Sequence, residues 1–394
     1  MVDVQNVLDR ALAMGASDVH IGADEPPTFR VHGRLERMTE WGNMTGEDTD
    51  AFMKVITPER CQEELSRELG VDFGFAYGDK ARFRVAIFRQ RNTTSINMRI
   101  IPFRKFSFEE LGLPPSIARI LHLPRGLILV TGPTGSGKTT TLATFIDYIN
   151  KNRDCHIVTI EDPIEYYHQA QTSILSQREV YNDVPSFEVG VIKAMRQDPD
   201  VILVGEMRDL NTIAAAITAA ETGHLVFSTL HTTGAARTVD RITDVFPHEQ
   251  QEQIRTQLSG NLVAVISQLL LPVASGNGRV AAFEIMIATP AIGHLIREKK
   301  THSIFSAIQT GTQLGMRTLD MSLLELWVRG LITRDEALRV AVVPEEVIEK
   351  MRDYEARAAA AGQRPPGPRP SDAQQGLGGR PGGQPPRPGS NARR

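Results

Sequence analysis

Residues 127–139 read LILVTGPTGSGKT, a short apolar run followed directly by a glycine-rich segment. The run 127–131 predicts a buried strand, and residues 132–139 match the pattern G-x-x-x-x-G-K-[ST] at every fixed position. Glycines in this pattern let the loop wrap so that backbone N–H groups face a phosphate, while the next helix presents its N-terminus to the anion. The stretch therefore predicts a P-loop between a strand and a helix of an α/β fold.

The residues of this loop have separate expected roles in binding ATP. Lys138 is expected to neutralise the β- and γ-phosphate oxygens, and the Thr139 hydroxyl is expected to bind Mg²⁺. ATP and Mg²⁺ are therefore the expected cofactors. The predicted phosphate-binding set comprises Gly132, Pro133, Thr134, Gly135, Ser136, Gly137, Lys138, Thr139 and Thr140.

Three further apolar runs follow the P-loop, at 157–160, 201–204 and 225–230. The polar or helical stretches between them are too long for hairpins, which favours parallel strands with helical crossovers. Polar side chains follow the three runs: Glu161 and His231 directly, and Glu206 after Gly205. Because ligands of an open parallel sheet bind beyond the carboxyl ends of its strands, we expect these side chains to converge near the γ-phosphate.

These polar residues are candidate catalytic groups with different alternatives. Glu206 is expected to orient the attacking water, since phosphoryl transfer depends mostly on positioning and charge stabilisation. Glu161 could orient water or the ligands of Mg²⁺, or it could hold the turn at Pro163. His231 could sense the γ-phosphate, contact a neighbouring subunit or fix a loop. His224 is a weaker candidate for nucleotide binding.

The chain is predicted to divide into five segments. Residues 1–100 alternate short helical and strand patterns and predict a small α+β domain, and 101–123 contain three prolines, which suit an inter-domain linker. Residues 124–280 form the predicted P-loop core. Residues 281–354 predict a helical C-terminal subdomain. Residues 355–394 predict a disordered tail rich in proline, glycine and arginine.

The distribution of charge argues against a nucleic-acid partner. The 394 residues have a net charge of −3, but the last 34 residues hold six arginines and one aspartate, which leaves −8 for the rest of the chain. A body this acidic does not present an electrostatic surface for nucleic acid. The basic tail could tether the protein weakly to acidic lipid or to a partner, or it could be a solvated extension without a required role.

The sequence also predicts the cellular compartment. The two cysteines, Cys61 and Cys155, lack the spacing of a disulfide framework or a zinc site. The first twenty residues lack the charge and apolar pattern of a signal peptide. The longest apolar stretch, 262–273, is shorter than the ~20 residues that span a bilayer. We therefore expect a cytoplasmic protein.

Four boxes occur in order along the chain: GPTGSGKTT (132–140), TIEDPIEY (159–166), DPDVILVGEMRD (198–209) and TGHLVFSTLHTTGAA (222–236). Together they resemble the Walker A, Asp, Walker B and His boxes of the ATPases of type II secretion and type IV pili. Within this superfamily the chain is most similar to the retraction ATPases of type IV pili. That likeness also includes GASDVHI (15–21), ARFRV (81–85), QREV (177–180), AAFEIMIATPAI (281–292) and GMRTLD (315–320).

The resemblance implies a PAS-like N-terminal domain, a RecA-like ATPase domain with the helical subdomain after it, and a homohexameric ring. ATP hydrolysis in that ring would drive pilus retraction and twitching motility. The implied partners are the platform protein of the inner membrane and, as a further possibility, a paralogous ATPase. The ring would then work at the inner face of the cytoplasmic membrane.

The resemblance also implies a role for an arginine of the first domain. Arg84, in ARFR, is expected to approach the nucleotide phosphates across the cleft between subunits, where a cation would stabilise transition-state charge. Arg82 and Arg99 are further candidates. For all three the alternative is a solvated arginine face on a strand.

One departure from the retraction motif bears on function. The motif usually written AIRNLIRE is AIGHLIRE here, at 291–298. Gly293 and His294 are expected to remove an exposed charge and to weaken the helix by ~1 kcal/mol. The departure leaves open an accessory retraction ATPase that assists a second motor, or a slowly hydrolysing, nucleotide-gated platform for pilus or secretion assembly. A RecA-like DNA motor has no support from the acidic body.

Overall fold

The computed structural model describes residues 3–31, 33–78, 80–101, 105–276 and 278–361 of the chain. These residues form two units. The first runs to Leu269 and also includes Phe283–Thr318, and the second joins Leu270–Ala282 to the residues that follow from Leu319. The P-loop and the N-terminal segment both belong to the first unit.

The N-terminal part is an antiparallel sheet of six strands in the order β3-β2-β1-β6-β5-β4, with three helices. Buried apolar side chains of the helices, such as Val7 and Phe52, form one core with buried strand residues such as Phe29 and Met98. The α+β prediction for this region is therefore confirmed. The elements are α1 Val4–Ala13, β1 Ala16–Ile21, β2 Thr28–Val31, β3 Arg34–Arg37, α2 Gly46–Ile56, α3 Glu59–Glu68, β4 Gly70–Tyr77, β5 Ala81–Gln90 and β6 Thr93–Ile101.

The predicted linker contains two short helices, α4 Phe108–Leu111 and α5 Ser116–Leu121. Ser107 caps α4 through a reciprocal hydrogen-bond pair with Glu110, which satisfies backbone donors at the helix start. The described part of the linker is held to the P-loop core because Lys105 Nζ pairs with Asp147 Oδ1 at 2.9 Å.

The core is a sheet of seven strands in the order β13-β12-β7-β11-β10-β8-β9. Strands β7, β8, β10 and β11 are the four predicted apolar runs, and their observed pairings are parallel. All residues of β7, β10 and β11 are buried, which explains why these strands are continuously apolar. The elements are β7 Gly126–Thr131, α6 Lys138–Asn152, β8 His156–Glu161, β9 Ile174–Glu179, α7 Phe187–Ala194, β10 Val201–Val204, α8 Leu210–Glu221, β11 Leu225–Leu230, α9 Ala235–Asp244, α10 His248–Asn261, β12 Leu262–Pro272 and β13 Arg279–Ile287.

In the described residues up to 361, five α-helices follow the sheet: α11 Pro290–Arg297, α12 Ile304–Thr310, α13 Leu319–Val328, α14 Arg334–Val340 and α15 Pro344–Ala360. The helical prediction from residue 281 is wrong at its start, because residues 281–287 belong to the strand β13. Six consecutive residues of that strand, 281–286, are buried in the manner of a strand covered on both faces. The proposed domain boundaries remain predictions.

The predicted tail from 355 also begins later than expected. Helix α15 continues to Ala360 and includes the alanine-rich stretch 355–360. Alanine is the residue that most favours a helix, and Ala358 is buried. The tail from 362 to 394 lies outside the described residues.

Gly293 has a different environment from the one expected. It is buried within α11, and a Cβ at this position would lie 2.9 Å from the carbonyl oxygen of Ser259 on α10. Position 293 therefore faces the neighbouring helix, and the expected loss of an exposed charge stays a prediction. His294, the second departure from the motif, is exposed.

Across the described ranges of the chain, the helices are all too short or too polar to cross a membrane.

Candidate active site

The loop between β7 and α6 is built around two glycines. Gly132 has φ 143°, and a Cβ there would lie 2.3 Å from the carbonyl oxygen of Gln268. Gly137, which directly precedes α6, has φ 89°. Both angles are in the region that favours glycine. The backbone path of the predicted P-loop therefore depends on the glycines that define its pattern.

The polar side chains of this loop fit a bound phosphate. Ser136 is 2% exposed, and its Oγ has no hydrogen-bond partner among the described residues. Lys138 is buried as well, and its Nζ donates to the carbonyl oxygens of Gly132 and Pro133 at 3.0 and 3.1 Å. A buried hydroxyl without a partner and an ammonium bound only to neutral carbonyls are both suited to an anion.

Glu206 and His231 meet at the carboxyl edge of the sheet, where the sequence predicts them. Glu206 follows β10 and His231 follows β11, and these strands are parallel neighbours. His231 Nε2 lies 3.7 Å from Glu206 Oε2, and Arg208 Nε donates to the same oxygen at 2.6 Å. Burial lowers the pKa of the Lys138 ammonium, and the negative charge of Glu206 opposes that shift. The P-loop lysine and the Glu206 carboxylate are thus within electrostatic reach of each other.

Glu161 is the last residue of β8 and is buried. Thr159 Oγ1 donates to Glu161 Oε1 at 2.7 Å, and Gln177 Nε2 donates to the same oxygen at 3.3 Å. Burial raises the pKa of Glu161 to about 7, and the two hydrogen bonds oppose the shift. A carboxyl group that titrates near neutral pH suits proton transfer at this edge of the sheet.

Arg84 lies near this site within its own chain. It is an exposed residue of β5, and its positive charge reaches Asp162, the residue after Glu161. Desolvation and then the negative charge of Glu206 raise the pKa of Asp162, whereas the charge of Arg84 opposes the shift. A contact of Arg84 with a phosphate in a neighbouring subunit remains a prediction.

The other two arginine candidates have carboxylate partners. Arg82 is 4% exposed, and its Nη2 donates to Glu179 Oε2 at 3.2 Å. The Arg82 guanidinium also lies 4.1 Å from the centre of the Tyr167 ring. The Arg99 side chain is exposed, and its Nε donates to Asp18 Oδ1 at 2.9 Å. A phosphate contact for either arginine remains a prediction.

His224 is not brought to the P-loop. It precedes β11, whereas His231 follows that strand, and the six residues between them span about 20 Å. The His224 Nδ1 lies 2.8 Å from the carbonyl oxygen of Ala219 at the end of α8. Within one chain this histidine therefore fixes a turn at the opposite edge of the sheet.

The segment 162–168 brings two further residues to the P-loop that sequence reasoning did not single out. The Tyr166 hydroxyl lies 3.1 Å from Thr140 Oγ1 on α6. The negative charge of Glu165 acts on Lys138. Both residues belong to the box TIEDPIEY, and their position directly after a strand that ends at the site was the signal that could have identified them.

Comparison with known proteins places these features in a family. The family model described as "Type II/IV secretion system protein" matches residues 1–339. The type IV pilus retraction ATPase PilT of Pseudomonas aeruginosa is 48% identical over 344 residues, which cover 87% of this chain and 99% of that protein. The type IV pilus ATPase PilU of the same organism is 37% identical over 86% of this chain and 88% of its own length.

A solved structure is similar over nearly the same length. The crystal structure of the pilus retraction motor PilT with bound ADP aligns with a TM-score of 0.83 and 43% identity. The alignment covers 89% of this chain and all of that chain. The residues matched by the family model, 1–339, include the N-terminal sheet, the P-loop core and the helices through α13.

Proposed function

Because this chain belongs to the family of type II/IV secretion system proteins, we propose that it is an ATP-hydrolysing motor that retracts type IV pili. The observation that carries this proposal is the meeting of the P-loop with Glu206 and His231 at one sheet edge, in a chain that is similar to PilT over nearly its whole length. The identity to PilT, 48%, exceeds the 37% identity to PilU by 11 percentage points, which favours the motor over the accessory ATPase.

The P-loop supplies the binding part of the mechanism. Backbone N–H groups of residues 132–139 and the Lys138 ammonium hold the β- and γ-phosphates of ATP. The Ser136 hydroxyl is a further donor to the phosphates. Thr139 offers its hydroxyl to Mg²⁺, which when bound neutralises charge on the β- and γ-oxygens. Together these groups fix the terminal phosphate beside the ends of β8 and β10.

The strand ends supply the catalytic part. The Glu206 carboxylate orients a water molecule toward the γ-phosphate and accepts its proton, while His231 and Arg208 hold that carboxylate from two sides. Glu161, at the end of β8, is proposed to orient water or the ligands of Mg²⁺ from its place beside this edge of the sheet. Arg84 supplies positive charge for the transition state.

The working form proposed for the protein is a homohexameric ring bound to the platform protein at the inner face of the cytoplasmic membrane. In this ring the exposed Arg84, whose charge reaches Asp162 within its own chain, is proposed to act on the phosphates of a neighbouring subunit. A paralogous ATPase is a further proposed partner, and nucleic acid is not one.

ATP turnover of the purified protein tests the enzymatic proposal. Glu206→Gln is expected to lower kcat by at least about 100-fold, because the amide cannot accept the proton of the attacking water. The binding free energy of ATP, calculated from its Kd, is expected to change by less than about 1 kcal/mol, since the P-loop is intact. Glu249→Gln, which neutralises an exposed glutamate at the start of α10, is the matched control and should keep wild-type turnover. Negligible turnover of the wild-type chain would instead favour the nucleotide-gated platform.

A further inference from the structure

The strand β9 holds the segment 162–168, which runs beside the P-loop. Gln177 Nε2 donates to the carbonyl oxygen of Tyr166 at 2.9 Å, and the backbone N–H of His168 donates to Gln177 Oε1 at 2.8 Å. Two residues further on, Glu179 Oε2 accepts the backbone N–H of Ile164 at 3.1 Å. Two side chains of one strand therefore fix the backbone of the segment at three points.

This segment has direct contacts with the nucleotide site. Tyr166 reaches Thr140 at the start of α6, and the charge of Glu165 acts on Lys138. Asp162, at the beginning of the segment, is within electrostatic reach of Glu206. A displacement of 162–168 would therefore change the surroundings of the P-loop lysine and of the candidate catalytic carboxylate.

Arg82 connects the same strand to the N-terminal sheet. Its Nη2 donates to Glu179 Oε2, the oxygen that also accepts the Ile164 N–H, and both side chains of the ion pair are buried. The guanidinium stacks on Tyr167, which belongs to the held segment. Arg82 thus contacts the segment directly, at the Tyr167 ring, and indirectly, through Glu179.

The N-terminal sheet has room for this guanidinium because of a glycine. A Cβ at Gly74 on β4 would lie 2.6 Å from Arg82 Nη2. The contact also has an energetic consequence. Removing one member of a buried ion pair leaves the other as an uncompensated buried charge, which costs several kcal/mol. Movement of the N-terminal sheet away from β9 would break this ion pair, and with it the contact through which the sheet holds Glu179.

We propose that Arg82 and Glu179 are a positioning pair through which the N-terminal sheet sets the place of segment 162–168 beside the P-loop, so that efficient ATP turnover requires this contact. The proposal rests on the proposed ATPase function and adds a path by which the N-terminal domain controls it. It also gives the QREV box a role, since Gln177 and Glu179 both belong to that box. In the structure Arg82 and Glu179 contact each other and the segment 162–168, and the proposed role is one of positioning.

A double-mutant cycle on the full-length protein tests this pair. Arg82→Met and Glu179→Gln are each expected to lower kcat about tenfold, equivalent to about 1.4 kcal/mol, with a much smaller change in KM for ATP. The double variant should be no slower than the slower single variant, because the interaction is already lost in each. Additive effects, or unchanged kcat in both single variants, would overturn the proposal.

Two further variants keep the test decisive if Arg82→Met fails to fold. Arg82→Lys retains the cation but loses the planar stacking group, so it should restore part of the lost kcat. Tyr167→Leu changes a half-exposed side chain and is expected to lower kcat while leaving the melting temperature unchanged. Arg89→Met is the matched control, since Arg89 is an ion-paired arginine on the same strand whose partner, Asp50, belongs to the N-terminal part.

Hydrogen exchange separates this proposal from the proposed function. In nucleotide-free protein, the backbone amides of Ile164 and His168 should exchange faster in Arg82→Met than in the wild-type chain or in Arg89→Met. If wild-type protein does not hydrolyse ATP but this change in exchange occurs, the ATPase proposal fails and the structural coupling stands. If wild-type protein turns over ATP and neither exchange nor kcat responds to Arg82→Met, the coupling fails alone.

Discussion

Glu161 shows, at the scale of a single residue, how burial determines the charge of a group beside the P-loop. The sequence indicates that a carboxylate follows the strand, because strand ends are recognisable from apolar runs. It does not indicate that Thr159 and Gln177 surround this carboxylate, or that burial raises its pKa to about 7. The Gln177 hydrogen bond depends on the pairing of β8 with β9, and the burial of Glu161 depends on the folded sheet, so neither follows from the local pattern of β8.

The raised pKa of Glu161 predicts a dependence of stability on pH. The folded protein holds this proton more tightly than the unfolded chain, so the stability from Glu161 is fully present below pH 4.5 and is lost as pH rises through about 7. The loss amounts to about 3 kcal/mol. Glu161→Gln should remove this loss. The free energy of unfolding of the variant should therefore rise relative to that of the wild-type chain between pH 4.5 and 8.

Urea denaturation at several pH values measures this difference. The free energies of unfolding of wild-type protein and Glu161→Gln should diverge as pH rises, whereas Glu249→Gln, at an exposed glutamate, should follow the wild-type curve. Parallel curves for wild-type protein and Glu161→Gln would show that Glu161 is ionised in the fold at much lower pH than its burial implies.

The arginines illustrate what residue-level reasoning missed. Alternation along β5 places Arg82 and Arg84 on one side of the strand. In the structure Arg82 is buried against Glu179, while Arg84 is exposed. The difference arises from a partner 97 residues away in the chain, which no local pattern reveals.

At the scale of elements, the four parallel strands of the P-loop core were predictable from their apolar runs, and the edge strand β9 was not. The runs that became β7, β8, β10 and β11 are continuously apolar because helices cover both sides of the sheet. Strand β9, with the sequence ILSQRE, is an edge strand with mostly half-buried residues, so it lacks that signal. Its polar side chains are used to hold the segment 162–168.

The close packing of α11 on α10 at Gly293 predicts the effect of a substitution there. An alanine there would gain helix propensity of up to about 1 kcal/mol, but its Cβ would lie 2.9 Å from a backbone oxygen of α10. Because backbone cannot move aside cheaply, overpacking of about 1–3 kcal/mol should outweigh the gain. We therefore expect Gly293→Ala to lower the free energy of unfolding.

Gly260, on α10, provides the matched control for this substitution. A Cβ at Gly260 would meet no atom within 4 Å, so Gly260→Ala should raise the free energy of unfolding by up to about 1 kcal/mol. Thermal or urea unfolding of both variants measures the contrast. A stabilising effect of Gly293→Ala similar to that of Gly260→Ala would show that the two helices are not packed closely at this position.

At the scale of the whole molecule, the resemblance based on four boxes correctly identified the family and the α/β architecture. The arrangement of the N-terminal sheet against β9 could not be predicted, because it depends on a few contacts between distant residues, such as Arg82 with Glu179. The hexameric ring and the platform partner remain proposals. They follow from family membership.

The central claim is that this ATPase retracts type IV pili, and deletion of its gene in the source organism tests it most directly. Surface pili are counted by electron microscopy and twitching is measured on agar, with wild-type gene and Glu206→Gln supplied back separately. The account predicts hyperpiliated cells that do not twitch, restored by the wild-type gene and not by Glu206→Gln. Cells without pili would contradict it, because they would indicate that the protein drives assembly instead.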